Sequence, residues 1–177
     1  MSESTAPWIS LAARVIRVAL ARKDVGYSEL SKRLPRCGIY DDEKALASRV
    51  AIGRVRLEDF LKILFVIDAE LPPSWSRVIE RSNSWETWAK EVMEAELAEA
   101  AFVSVDSLAR DLSALGATFT LDTLASRIAS GRLSLPDFLK CTVALRSRSL
   151  DAFIERRDMV AEARTVLARK NAGKKEK

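Results

Sequence analysis

Leu46-Ala-Ser-Arg-Val-Ala-Ile-Gly-Arg-Val-Arg-Leu-Glu-Asp-Phe-Leu-Lys62 sets the fold, because it returns as Leu124-Ala-Ser-Arg-Ile-Ala-Ser-Gly-Arg-Leu-Ser-Leu-Pro-Asp-Phe-Leu-Lys140. Twelve of the 17 positions are identical, at a constant offset of 78. Toward the N-terminus the same offset pairs Leu30 with Leu108, Leu34 with Leu112 and Gly38 with Gly116. Farther upstream it becomes 77, pairing Trp8 with Trp85, Val15 with Val92, Ile16 with Met93 and Leu20 with Leu97. The one-residue change falls between Leu20 and Tyr27, where a turn absorbs it. Self-similarity at a fixed period marks a repeated structural unit. The chain therefore reads as unit one over 1–68, a linker over 69–84, unit two over 85–147, and a C-terminal helix with a basic tail over 148–177.

Each unit parses into helices. Trp8, Leu11, Ala12, Val15, Ile16, Ala19 and Leu20 form the stripe of an amphipathic helix, spaced i, i+3, i+4. It spans about 8–22, with its counterpart at 85–99. A short second helix is expected near 28–34 and 106–112, with Ser28 and Asp106 as N-caps. A third is expected over 42–52 and 121–130, stopped by Gly53 and Gly131, and a fourth over 57–67 and 135–145. Pro136 then falls in a first turn, where a missing N–H costs nothing. The expected fold class is all-α: two tandem helix-turn-helix-like units of four to five helices, plus a C-terminal helix. Pro72-Pro73 mark 69–84 as a connector with one helical turn, and the last ten residues read as disordered.

Composition narrows the function. The 177 residues are 48% hydrophobic and 31% charged, a globular balance. There is no histidine, which removes the usual nucleophile–base pairs and the commonest metal ligand. Cys37 and Cys141 stand far apart without clustered partners, so neither a disulfide framework nor a metal site is expected. No phosphate-binding glycine loop, cofactor motif or small-molecule substrate site is evident. No apolar run reaches membrane-spanning length, and Met1–Trp8 does not resemble a signal peptide. The expectation is a cytoplasmic protein that is not an enzyme, needs no cofactor and has no membrane partner.

The order helix, short helix, turn, third helix, Gly-Arg, apolar fourth helix resembles the lambda-repressor-like helix-turn-helix superfamily. The stretches that carry the likeness are Ser28-Glu-Leu-Ser-Lys-Arg-Leu34, Ser48-Arg-Val-Ala-Ile-Gly53 and Ser126-Arg-Ile-Ala-Ser-Gly131. The chain is still more similar to a small bacterial domain family of unknown function, normally one unit long, with the same Trp start and the same Gly-Arg before a Phe-Leu helix. Two features depart from the superfamily pattern. The 35–42 loop is longer than the usual turn, and Asp41-Asp42-Glu43 places carboxylates, which repel phosphate, at the start of the third helix.

The superfamily resemblance implies double-stranded DNA as partner, read by the third helices in the major groove, and hence a bacterial transcriptional regulator, nucleoid-associated. Its contact residues carry over to Lys44, Ser48 and Arg49 in unit one, with Arg49 suited to a bidentate contact with guanine. Arg54 and Arg56 follow near phosphates. Unit two offers Thr123, Ser126, Arg127 and Arg132. The competing reading leaves Arg49 and Arg127 solvated, or pairs them with Asp59 and Asp137 within their own units. Charge separates the units: 12 basic and 9 acidic residues in 1–68 give +3, 6 and 9 in 85–147 give −3, and 9 and 5 in 148–177 give +4. Unit one is then the better DNA binder. A covalent pair needs no dimerisation, although a homodimer presenting four units fits the same reading. The alternative function is a protein-interaction adaptor that keeps the fold without reading DNA.

Overall fold

The computed structural model describes residues 6–82, 84–100, 103–117 and 119–175, omitting the side chains of residues 86, 169–171 and 173–175. These residues form ten α-helices and one 3-10 turn, with no strand among them. In the first repeat α1 is Ala6–Arg22, α2 Tyr27–Arg33, the 3-10 turn Leu34–Cys37, α3 Glu43–Ala51 and α4 Leu57–Val66. The segment between the repeats holds α5, Pro73–Arg81. The second repeat holds α6, Trp85–Glu99; α7, Val105–Ala114; α8, Leu121–Ala129; and α9, Leu135–Ala144. Helix α10, Arg156–Lys175, closes the chain. The all-α tandem repeat holds.

Local chemistry sets the boundaries. The Asp42 carboxylate accepts the Ala45 N–H at 2.8 Å, Thr120 caps α8 through the Thr123 N–H, and Ser134 caps α9 through the Asp137 N–H. Helices α2 and α7 begin earlier than expected, with Gly26 and Ser104 as N-caps in place of Ser28 and Asp106. Asp106 instead lies in the first turn of α7, where its charge suits the helix dipole, and it binds Arg110. Two other segments differ from expectation. The connector forms a nine-residue helix with Trp75 fully buried, and α10 runs on to Lys175 through most of the stretch read as disordered. Met1–Thr5, Glu176 and Lys177 lie outside the described residues.

The repeats are not two separate domains on a tether. Helix α1 packs on α3 of its own repeat but also on α9 of the other, and α6 likewise packs on α8 and on α4. Arg56 and Ser134, equivalent residues by the offset of 78, face each other in an antiparallel β-bridge. Its bonds are reciprocal: Leu57 N–H to Leu133 O and Leu135 N–H to Val55 O, both at 2.9 Å. A pseudo-twofold axis therefore passes through this bridge.

The symmetry continues into segments where sequence identity has faded. Asp68 and Arg146, again 78 apart, both adopt left-handed backbone, φ 52° and 55°. Seven residues beyond each stands an aromatic, Trp75 and Phe153, and each crosses to the opposite repeat. The Trp75 ring meets Phe138 at 5.7 Å between centroids, and Phe153 meets Phe60 edge-on at 6.0 Å. Phe65 of α4 likewise stacks against Trp85 and Trp88 of α6. These crossings merge the buried side chains of both repeats into one apolar core.

Gly53, which ends α3, is required twice over. Its φ of 68° is left-handed, and an added Cβ would lie 2.7 Å from Cγ1 of Ile9 on α1. Gly38 has a φ of 77° but open space around it. Gly38→Ala is expected to cost about 1–2 kcal/mol from backbone strain alone. Gly53→Ala adds the overpacking of the α1–α3 contact, typically about 1–3 kcal/mol more. Urea unfolding of both variants checks this, and equal losses would mean that Ile9 moves aside freely.

Candidate functional site

Helices α3 and α8 both run toward the bridge, ending in Gly53-Arg54 and Gly131-Arg132 just before it. The cores of the two helices are anchored by Leu46, Val50, Leu124 and Ile128, which leaves the opposite faces open. Lys44 and Ser48 are exposed on α3, and Thr123 and Ser126 on α8. Arg54, Arg56 and Arg132 are exposed beside the bridge. Lys44, Arg54, Arg56 and Arg132 make no ion pair with any described residue. Seven of the nine candidate contact residues are thus exposed, on α3, on α8 or in the segments that lead from them to the bridge.

The other two, Arg49 and Arg127, are engaged inside the protein. Arg49 Nη2 lies 2.8 Å from Asp41 Oδ2 and its Nη1 lies 3.7 Å from Asp59. Its Nε is buried without a hydrogen-bond partner. Arg127 Nη1 lies 3.3 Å from Asp137, and its guanidinium sits over the Phe119 ring, 5.1 Å from the centroid. The pairs to Asp59 and Asp137 match the competing reading of the sequence. Asp41 and Phe119 were not anticipated, although they are equivalent by the same offset of 78. Of the acidic run before α3, Asp42 serves as N-cap and Asp41 as counter-ion, so two of its three carboxylates have structural work.

Asp137 holds more than Arg127. Its Oδ1 binds Lys140 Nζ at 3.0 Å and its Oδ2 accepts the Ser134 hydroxyl at 2.8 Å. Lys140 is buried, and Lys62, its counterpart on α4, is buried against Glu58. A lysine in a core is tolerated only with such a partner. Both thiols are buried: burial pushes Cys141 far above the usual thiol range, with Asp137 and Glu96 adding in the same direction, and burial also raises Cys37.

A family model described as a domain of unknown function (DUF6471) matches residues 8–71 and again residues 85–150. The chain belongs to this family. The two DUF6471 matches end at Leu71 and Leu150, short of Trp75 and Phe153, so the aromatics that cross between repeats lie just outside the matched segments. Neither a curated protein nor a solved structure matches the chain. Among the described residues no helix is long and apolar enough to cross a membrane.

Proposed function

We propose that this protein binds double-stranded DNA as a covalent pseudo-dimer of helix-turn-helix-like units and acts as a transcriptional regulator. Helices α3 and α8 enter the major groove, with Lys44, Ser48, Thr123 and Ser126 toward the bases and Arg54, Arg56 and Arg132 on phosphates. The observation that carries this reading is the twofold relation of the two third helices, fixed by the Arg56–Ser134 bridge. Paired recognition helices on a twofold axis are what a palindromic duplex site requires. The rigid interface sets their spacing, in place of a flexible linker. The exposed Arg54, Arg56 and Arg132, without an ion pair to any described residue, support the phosphate-contacting role.

A second reading, a protein-interaction adaptor, is favoured by exposed apolar groups at the ends of α3 and α8. Tyr40 is 80% exposed, Ile52 46% and Leu121 39%, beside the acidic Asp42, Glu43 and Asp122. Salt dependence separates the two readings. Binding of random-sequence duplex should weaken steeply with salt, because each neutralised phosphate contributes about −0.9 to the slope of log K against log salt. Arg54→Ala/Arg56→Ala/Arg132→Ala should flatten that slope by about 2–3 in a fluorescence-anisotropy titration. Absence of binding even at low salt would remove the DNA reading and leave the adaptor.

A further inference from the structure

We propose, on the basis of the DNA reading above, that the two repeats are unequal partners. Repeat two reads sequence through Arg127, which contacts a guanine, while repeat one anchors the duplex without reading a base through Arg49. The inference rests on one substitution between equivalent positions. Asp41 of repeat one is replaced by Phe119 in repeat two, and the arginine beside it changes state.

Arg49 is held between two carboxylates and is 26% exposed; Arg127 has one carboxylate and is 41% exposed. The consequences of leaving also differ. If Arg49 swung out, then among the described residues Asp41 would keep no cation and Asp59 would keep the Arg56 N–H, 3.4 Å away. A partly buried carboxylate stripped of its cation is strongly disfavoured. If Arg127 swung out, Asp137 would keep both Lys140 and the Ser134 hydroxyl, and so would remain satisfied. The Phe119 ring gives the guanidinium a flat resting place without a second counter-charge to strip away. Arg127 is therefore poised: pre-positioned at the last turn of α8, beside the exposed Ser126, and free to present its two parallel donors to guanine O6 and N7.

Charge assigns the complementary role to repeat one. It carries +3 against −3 for repeat two, and its α3 surface includes the unpaired Lys44, Arg54 and Arg56, where the second repeat has only Arg132 free at the corresponding places. Phosphate contacts supply affinity and register without sequence information, whereas base contacts supply discrimination. One fold duplicated and diverged thus divides the two tasks between its copies.

The test is selection of duplexes from a library with a randomised core, using the full-length chain and its Arg49→Lys and Arg127→Lys variants. Lysine keeps the charge and the ion pair in each case but loses the bidentate fork. The wild type is expected to enrich a guanine-containing preference confined to one half of the site. Arg127→Lys should reduce that preference by roughly 5- to 150-fold, the range supplied by one bidentate contact, with affinity for random duplex retained. Arg49→Lys should keep the preference. A guanine preference lost in Arg49→Lys, or unchanged in Arg127→Lys, overturns the division of labour while leaving DNA binding intact. Failure of the wild type to enrich or retain any duplex at low salt overturns both.

Discussion

Trp75→Ala is expected to destabilise the protein by about 3–5 kcal/mol, a loss that no side chain in a true linker would give. Trp75 is fully buried, its ring packs on Phe138 of the second repeat, and its Nε1–H donates to Glu96 Oε1 at 2.7 Å. Removing the indole opens a large cavity at the junction of α5, α6 and α9. It also leaves Glu96 in trouble, because this carboxylate is itself buried and its other oxygen already lacks a partner. The two effects separate in Trp75→Phe, which fills most of the space but deletes the donor. That variant should lose about 1–3 kcal/mol, the cost of stranding a buried acceptor. As a reference, Glu80→Ala on the exposed side of the same helix should stay within about 0.5 kcal/mol of the wild type. Urea denaturation of the three variants provides the comparison. A Trp75→Ala loss below about 1 kcal/mol would return residues 69–84 to the status of a connector.

That the repeat helices are legible in the sequence while this segment is not has a physical answer. Helices α1, α3, α4, α6, α8 and α9 follow from apolar periodicity, and the glycines at 53 and 131 stop them where left-handed backbone is needed. The repeat itself is carried by identity around Leu46–Lys62. Periodicity, however, says only that a face is apolar, not which copy of its complement covers it. When two copies share one pattern, the α1 stripe fits α4 and α9 about equally well, and the sequence is degenerate between separate and interlocked units. Pro72-Pro73 mark the segment as a connector and leave Trp75 free to dock on either unit; only its offset of 78 from Phe153 points to its place in the core.

The candidate site divides in the same way. Solvent exposure of Lys44, Ser48, Thr123 and Ser126 follows from their positions off the buried stripe of α3 and α8, whereas Arg54, Arg56 and Arg132 lie past those helices, where helical spacing says nothing. The pairing of Arg49 and Arg127 with the Asp of the next helix was a legible alternative, since both copies retain both partners. The opposed environments at Asp41 and Phe119 were not legible. These residues lie in the loops before α3 and α8, and the loop path that brings them onto the arginines is not encoded in any periodic signal.

Severing the chain between the repeats should have the largest effect of all. Fragments 1–82 and 83–177, expressed separately and held dilute, are each expected to lack a cooperative thermal transition, forfeiting a stability on the order of 5–15 kcal/mol. In fragment 1–82 the α1 stripe of Trp8, Ala12, Val15, Ile16 and Ala19 would keep α3 but lose α9, and Phe60 would lose Phe153. In fragment 83–177, α6 would lose α4 and α5, and Phe138 would lose Trp75. Each newly exposed large side chain forfeits about 1.5–3 kcal/mol, so uncovering even four or five of them is enough to unfold a fragment. Mixing the fragments should restore a single transition whose midpoint rises with their concentration, because association is then linked to folding. Fragment 1–82 at high concentration has a further option: the Arg56–Ser134 bridge joins equivalent positions, so two copies can form it with each other through Arg56. Folding of that fragment only as a dimer agrees with the interlocked core, whereas a cooperative transition in a fragment shown to be monomeric by ultracentrifugation would refute it. The bridge that relates α3 to α8 belongs to the same interface that makes the halves inseparable, so any loss of its packing must also displace the two helices proposed to read DNA.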